Sequence, residues 1–195
     1  MSEVPRRFVV DRESSSDTLD TELMGVQLRR FVDTMLSDLV AAANHVEIPR
    51  YMSDQFPHPY TEQAGREWLE IAGKDDPPLH YGIFFGEELV GGLGGSAGQG
   101  EMTGTYEIGW WLTPQHWGKG ITSAAAKALV NEFFGKRDVM RVWAPVMHPN
   151  IASRKVAMYA GLFPEGVSPS AYLKAGVRYD MHHFGLTRSQ WQQQQ

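Results

Sequence analysis

Gln115, Gly118 and Gly120 stand in the stretch PQHWGKGIT, between the apolar run GWWL and a segment of helical periodicity. Glycines at a strand-to-helix junction let consecutive backbone N–H groups converge on an anion, with the positive end of the helix dipole behind them. First helical turns are usually rich in Asp and Glu. From Pro114 to Asn131 this one carries Lys119 and Lys127 and no acid. A tight turn with an exposed lysine accounts for the same spacing equally well. Two more familiar phosphate motifs do not fit. A Walker A loop needs GxxxxGK followed by Ser or Thr, whereas Gly118-Lys119 is followed by Gly120, and Thr113 stands where the first glycine is required. The stretch GLGGSA, Gly92 to Ala97, satisfies a loose dinucleotide fingerprint, but that motif must open a helix. The residues after it, GQGEMTGTYEIG, turn into another strand, so GLGGSA reads as a glycine-rich strand end and turn.

Other chemistries are excluded by residue type. The chain has no cysteine, which removes disulfides, thiolate zinc sites and a cysteine nucleophile. His182 and His183 are adjacent, and neighbours on a strand point to opposite faces. With no third ligand in view, no metal is expected. A net charge of −5 gives no broad electropositive surface for nucleic acid. No apolar run reaches the roughly 20 residues of a membrane helix, and the charged N-terminus lacks a signal-peptide core, so a cytoplasmic location is expected.

Periodicity gives the elements that must position the loop. Residues 1–20 and 192–195 read as loose tails around a single domain over 21–191. A short strand near Met24–Arg30 precedes a helix with Leu36, Leu39, Val40 and Ala43 on one stripe. Thr61 reads as the N-cap of a second helix carrying Ala64, Trp68 and Ile71 on one face. HYGIFF and ELVGGLGG flank the turn GEE as a hairpin. TGTYEIGWWL alternates, with Tyr106, Ile108, Trp110 and Leu112 on one side and Thr105, Glu107, Gly109 and Trp111 on the other. The next helix buries Ile121, Ala124, Ala125, Ala128, Leu129 and Phe133, with Gly135 expected at its C′ position. VMRVWAPVM is a strand, Asn150 caps a short helix ending at Gly161, and VRYDMHHFGL is a last strand. The expected class is α+β (mixed α/β), built around a mostly antiparallel meander.

With these elements in place, the sequence resembles a known family. Q-x-x-G-x-G between a strand and a long helix is similar to the acyl-CoA pyrophosphate loop of the GNAT N-acetyltransferases. YEIGWWLTPQHWGKGIT, HPNIASRKVAMYAGLFPEG, LKAGVRYDMHHFGL and FPHPYT each resemble a segment of the RimJ/RimL-like branch that acetylates ribosomal-protein N-termini. The likeness runs from about Val26 to Trp191. It implies a seven-strand twisted sheet with about four helices, splayed between its fourth and fifth strands, with acetyl-CoA as cosubstrate in the gap. Carried over, the backbone of Leu112 and Thr113 would meet the pantetheine arm and thioester. Gln115, His116, Trp117, Gly118, Lys119, Gly120, Ile121 and Thr122 would hold the pyrophosphate, and Asn150 and Ser153 the pantetheine end. Asn150 is a good N-cap in any case. Where many relatives place a tyrosine acid, four residues before Gly161, this chain has Ala157, so Ser153 is the candidate donor to the departing thiolate. The tyrosine at 159 is about 200° of helix away from that position.

An amine attacking a thioester must lose a proton, so a base is useful at neutral pH. Glu107, on the strand face with Gly109, is the leading candidate, and His148 the next, with Asp180 and His182 further back. Tyr51, Phe56, His58, Tyr60 and Tyr172 are candidates to line the acceptor site. They could equally pack the lid on the sheet. The expected activity is acetyl transfer to a primary amine, a protein N-terminus or a small molecule, in a ternary complex of a monomer or homodimer. The alternative is a non-catalytic CoA-binding or regulatory protein.

Overall fold

The computed structural model describes residues 17–76, 78–136 and 138–195. Eight strands form one sheet: β1 (Thr18–Asp20), β2 (Val26–Arg30), β3 (His80–Phe85), β4 (Glu88–Ala97), β5 (Thr105–Leu112), β6 (Arg141–Met147), β7 (Phe163–Lys174) and β8 (Val177–Thr187). Their spatial order is β1-β2-β3-β4-β5-β6-β8-β7. Every neighbouring pair is antiparallel except β5 with β6. A parallel pair needs a crossover connection. Here it is helix α3 (Ile121–Lys136), joined by α1 (Leu36–Ala43), α2 (Glu62–Ala72), α4 (Ile151–Tyr159) and α5 (Arg188–Gln193).

The sheet therefore has one strand more than the expected seven, and there are five helices rather than about four among the described residues. The extra strand comes from the segment expected to be a tail. Thr18–Asp20 pairs with Arg29–Gln27, a pairing invisible to local periodicity in so short a piece. Residues 1–16 lie outside the described residues. At the other end α5 runs to Gln193, and Gln194 Nε2 donates to the Gly161 carbonyl at 3.1 Å.

Two cores hold the layers. On one face, the stripe of α3 predicted from spacing packs on the sheet: Ile121, Ala125, Leu129 and Phe133 meet Leu28, Ile83, Val90 and Ile108. Full burial of one such side chain is worth about 1.5–3 kcal/mol. Gly135 lies inside α3 rather than beyond it. On the other face α1 and α2 enclose Leu39, Ala43, Leu69 and Ala72 with Phe31, Phe84 and Leu89 from the sheet side. Thr61 caps α2 as expected, its hydroxyl accepting from Ala64 N–H at 3.2 Å. The Gly86-Glu87 turn closes the β3–β4 hairpin, with Gly86 at φ +62°.

Candidate active site

The parallel pairing of β5 with β6 lasts only from Thr105–Glu107 against Arg141–Trp143. Beyond it no pairing holds the C-terminal halves of these strands together, and a gap opens. Thr113 N–H donates to the Val90 carbonyl at 2.8 Å. By the alternation of an antiparallel ladder, Trp111 and Gly109 also turn their polar groups toward β4, so those of Ile108, Trp110 and Leu112 face the gap. The Leu112 carbonyl indeed accepts from the Trp117 indole at 2.8 Å. This corrects one expectation. Thr113 has no backbone donor to offer, its residue is buried, and the N–H groups of Trp110 and Leu112 remain as gap-facing donors.

The gap holds a compartment of about 550 Å³. Trp110 and Leu112 line it from β5, Asn150, Ser153 and Val156 from the α4 side, and Ile48, Tyr51 and Met52 from the segment after α1. Gly118, Gly120, Ile121 and Thr122 close one end. Pro114–His116 forms a single 3₁₀ turn, after which Gly118 and Gly120 take φ of +74° and +79°. Both face open space. Gly120 is the N-cap of α3, since its carbonyl accepts from Ala124 N–H at 3.0 Å. A glycine has no side chain to cap with, so the first-turn N–H groups of α3 are left for an external acceptor. His116 lines the compartment and also anchors the loop. It is buried edge-on against Phe85 (5.9 Å) with Nε2 3.6 Å from Glu88, so its ring fastens the loop to the β3–β4 hairpin. Gln115 and Lys119 are exposed beside the compartment and do not line it.

Helix α4 brings up the far wall. Asn150 Oδ1 accepts from Ser153 N–H at 3.0 Å, which leaves the Asn150 amide NH₂ free to donate. Ser153 Oγ accepts from the Trp110 indole at 3.2 Å, so the hydroxyl proton can still be given away. Ala157, one turn on, is fully buried in the core. Tyr159 points elsewhere, its hydroxyl donating to Glu22 at 2.7 Å. Hydrogen bonds from Lys127 and from Tyr159 hold the Glu22 carboxyl below the usual range.

A second compartment of about 510 Å³ adjoins the first, sharing Met52, Trp110 and Trp111 with it. Phe56 and Tyr60 line it. Ala64, Trp68 and Ile71 also share a face as predicted, but that face turns to the cleft, and Ile71 is half exposed. The glycine-rich strand is its floor. A Cβ at Gly92 would strike the Trp111 indole at 2.7 Å, and one at Gly94 would collide with His80. The glycines thus let two rings lie down on the sheet. A Cβ at Gly109 would meet nothing within 4 Å, so the space expected beside Glu107 is present.

Glu107 lines this compartment, still open to solvent, with no hydrogen-bonding or ionic partner among the described residues, and partial desolvation by the walls raises its pKa above the ordinary value. Burial pushes the Tyr60 hydroxyl up to about 12, so it stays protonated at neutral pH. His80 is not among the residues the sequence singles out. Its ring is T-stacked on Trp68 at 5.0 Å, and burial lowers its pKa despite Asp75 3.9 Å away. His80, Trp68, Trp110 and Trp111 belong to β3, α2 and β5, and no local motif links them.

Several sequence candidates are not brought here. His148 lies exposed at the end of β6, its Nδ1 2.9 Å from Nε2 of His182. Desolvation first, then Arg154 and His148, lower the His182 pKa. His183 turns the other way, to Ser168 Oγ at 2.9 Å, and Asp180 accepts from Ser170 N–H at 2.8 Å. His58 is exposed beside the cis His58–Pro59 peptide, and Tyr172 pairs with Tyr179 on the β7–β8 hairpin; neither lines a compartment. Tyr51 lines the gap compartment.

A family model of the acetyltransferase (GNAT) domain matches residues 26–162, more than half of the chain. The chain belongs to the GNAT acetyltransferase family. Among GNAT relatives it is 30% identical over 87 residues to the uncharacterized N-acetyltransferase YnaD of Bacillus subtilis (strain 168), covering 45% of this chain and 51% of that one. It thus spans about half the length of YnaD. It is 25% identical to the uncharacterized N-acetyltransferase YoaA of the same strain, over 83% of this chain and 92% of that one. A solved GNAT-fold neighbour, RimL, a ribosomal L7/L12 α-N-protein acetyltransferase in complex with coenzyme A, superposes with TM-score 0.76. That match covers 87% of this chain and 97% of RimL at 20% identity, which establishes a shared fold.

Proposed function

We propose that this GNAT chain is an acetyl-CoA-dependent N-acetyltransferase acting on a primary amine by direct transfer in a ternary complex. The observation that carries the proposal is the pair of adjoining compartments, a gap ending on an uncapped helix N-terminus and a cleft holding Glu107, which meet at Trp110 and Trp111. RimL, with the same fold, was solved with coenzyme A.

Acetyl-CoA supplies an activated acyl carbon and a thiolate leaving group. The N–H groups of the Gly118–Thr122 turn take the pyrophosphate, and the Asn150 amide donates to the pantetheine arm. The N–H of Trp110 or Leu112 stabilises the oxyanion, a contribution of about 10²–10³ in kcat for one such donor. Glu107 is three residues from Trp110, about 10 Å along the strand, so it takes the amine proton through a short water relay. Its raised pKa makes it a better base than a free carboxylate. As the N–C bond forms and the C–S bond breaks, the sulfur departs as a thiolate and the Ser153 hydroxyl, still free to donate, gives it a hydrogen bond. A thiol pKa near 8.5 makes this assistance modest.

Two-substrate initial-velocity kinetics with mass spectrometry of the product test the proposal. Intersecting double-reciprocal lines and an N-acetylated amine are expected. Parallel lines, the mark of a covalent acyl-enzyme, would refute direct transfer.

A further inference from the structure

The cleft beside Glu107 has a composition that restricts what can enter it. Its walls are rings: Phe56 lies 5.3 Å from Tyr60 and 5.9 Å from Trp111, and Trp68 stands edge-on to His80 opposite. Phe31 backs Trp68 from behind at 6.3 Å. The floor is glycine backbone, left low at Gly109. Among the described residues that line it, the carboxylates Glu107 and Glu67 are the only charged ones, with neither lysine nor arginine. Glu67 accepts from Gln63 Nε2 at 2.8 Å on the exposed side of α2. His80, the one other lining side chain that could carry a positive charge at neutral pH, has its pKa lowered by burial.

An aromatic wall attracts a flat apolar body and, through ring quadrupoles, a nearby cation. A carboxylate or phosphate next to the amine would find neutral donors but no cationic partner, and two like charges. Leaving such a group unpaired in a walled cleft costs several-fold to orders of magnitude in affinity.

We infer that the acceptor is a small arylalkylamine, a primary ammonium on a short linker to an aromatic ring, and that amines bearing an α-carboxylate or a phosphate are rejected. This deepens the N-acetyltransferase reading and rests on it for turnover, but binding can be read separately. The volume of about 510 Å³ suits a ligand of this size. The ring lies between Trp68 and the Phe56–Trp111 pair, and Glu107 reaches the ammonium through the water relay.

The test compares phenethylamine, n-butylamine, phenylalanine and a tripeptide with a free N-terminal serine. Calorimetric binding is measured with CoA present, and kcat/KM with acetyl-CoA. Phenethylamine should exceed n-butylamine by at least about tenfold, and phenylalanine by about a hundredfold, in both measurements. Trp68→Ala should shrink the phenethylamine-to-butylamine ratio. Gly109→Val, a substitution with open space above it, should weaken phenethylamine without unfolding the protein. Binding with this order but no turnover supports the cleft assignment and defeats the transferase reading. Equal use of phenylalanine, preference for the tripeptide, or acetylation of n-butylamine as fast as phenethylamine overturns the inference while leaving the transferase intact.

Discussion

Glu107 is unpaired in a structure where other acids of the fold, such as Glu22, Glu87 and Glu165, are neutralised by a lysine or arginine. Its environment raises the native pKa above 4.5, to which the unfolded chain returns. Between these two values the native state binds more protons than the unfolded one. Stability from this group is therefore greatest below the unfolded pKa and falls as pH rises through the native one. Glu107→Gln removes a charge that the fold holds at a cost, so its Tm at neutral pH should equal or exceed that of the parent, while kcat/KM falls about 10²–10⁴-fold. A drop in Tm would show that the carboxylate is structural. The acid limb of the parent's pH–rate profile should sit above 4.5 and vanish in the variant. Glu107 was legible in the sequence because strand alternation put it beside Gly109. His80 was not, because it reaches the cleft only through the register His80–Gly94 between β3 and β4. His148 misled for the opposite reason: it lies at the right strand end, but its ring is taken up by His182 from β8.

At the scale of elements, the proposed donor site rests on the turn before α3. Both glycines adopt φ values that a β-carbon disfavours, at roughly 1–2 kcal/mol per residue. Gly120→Ala should reduce the Tm increase produced by saturating CoA, without altering amine binding measured by calorimetry. An unchanged CoA shift would remove the loop from the donor site. The turn was readable because its glycines are close in sequence and lie at a strand-to-helix junction, so its backbone geometry is local. The Gly92–Ala97 run was legible as a strand end, but its glycines serve side chains from β3 and β5, and only the register discloses that. The short β1 escaped because three residues carry no periodicity.

Across the whole molecule, the segment after α1 walls both compartments, and Met52 is common to them. It is tied to the β7–β8 hairpin by Lys174, whose ammonium donates to the Met52 carbonyl at 2.8 Å and to Asp54 at 2.9 Å. Lys174 lines neither compartment, yet Lys174→Ala should raise KM for acetyl-CoA and for the amine together, by a few-fold each. A change confined to one substrate would mean that the segment does not couple the two sites. The splayed parallel pair was legible only through the family resemblance. Local periodicity finds strands but not which of them part.

On the proposed mechanism, an amine reaching Glu107 releases CoA from acetyl-CoA bound in the β5–β6 gap. Thiol release, measured with phenethylamine for the parent protein and for Glu107→Gln over about pH 6 to 9, tests it most directly. Amine-dependent release by the parent, and loss of most of it in the variant at every pH, is the predicted result. Tight CoA binding with no amine-dependent release, or near-parental kcat/KM for Glu107→Gln throughout, would contradict it.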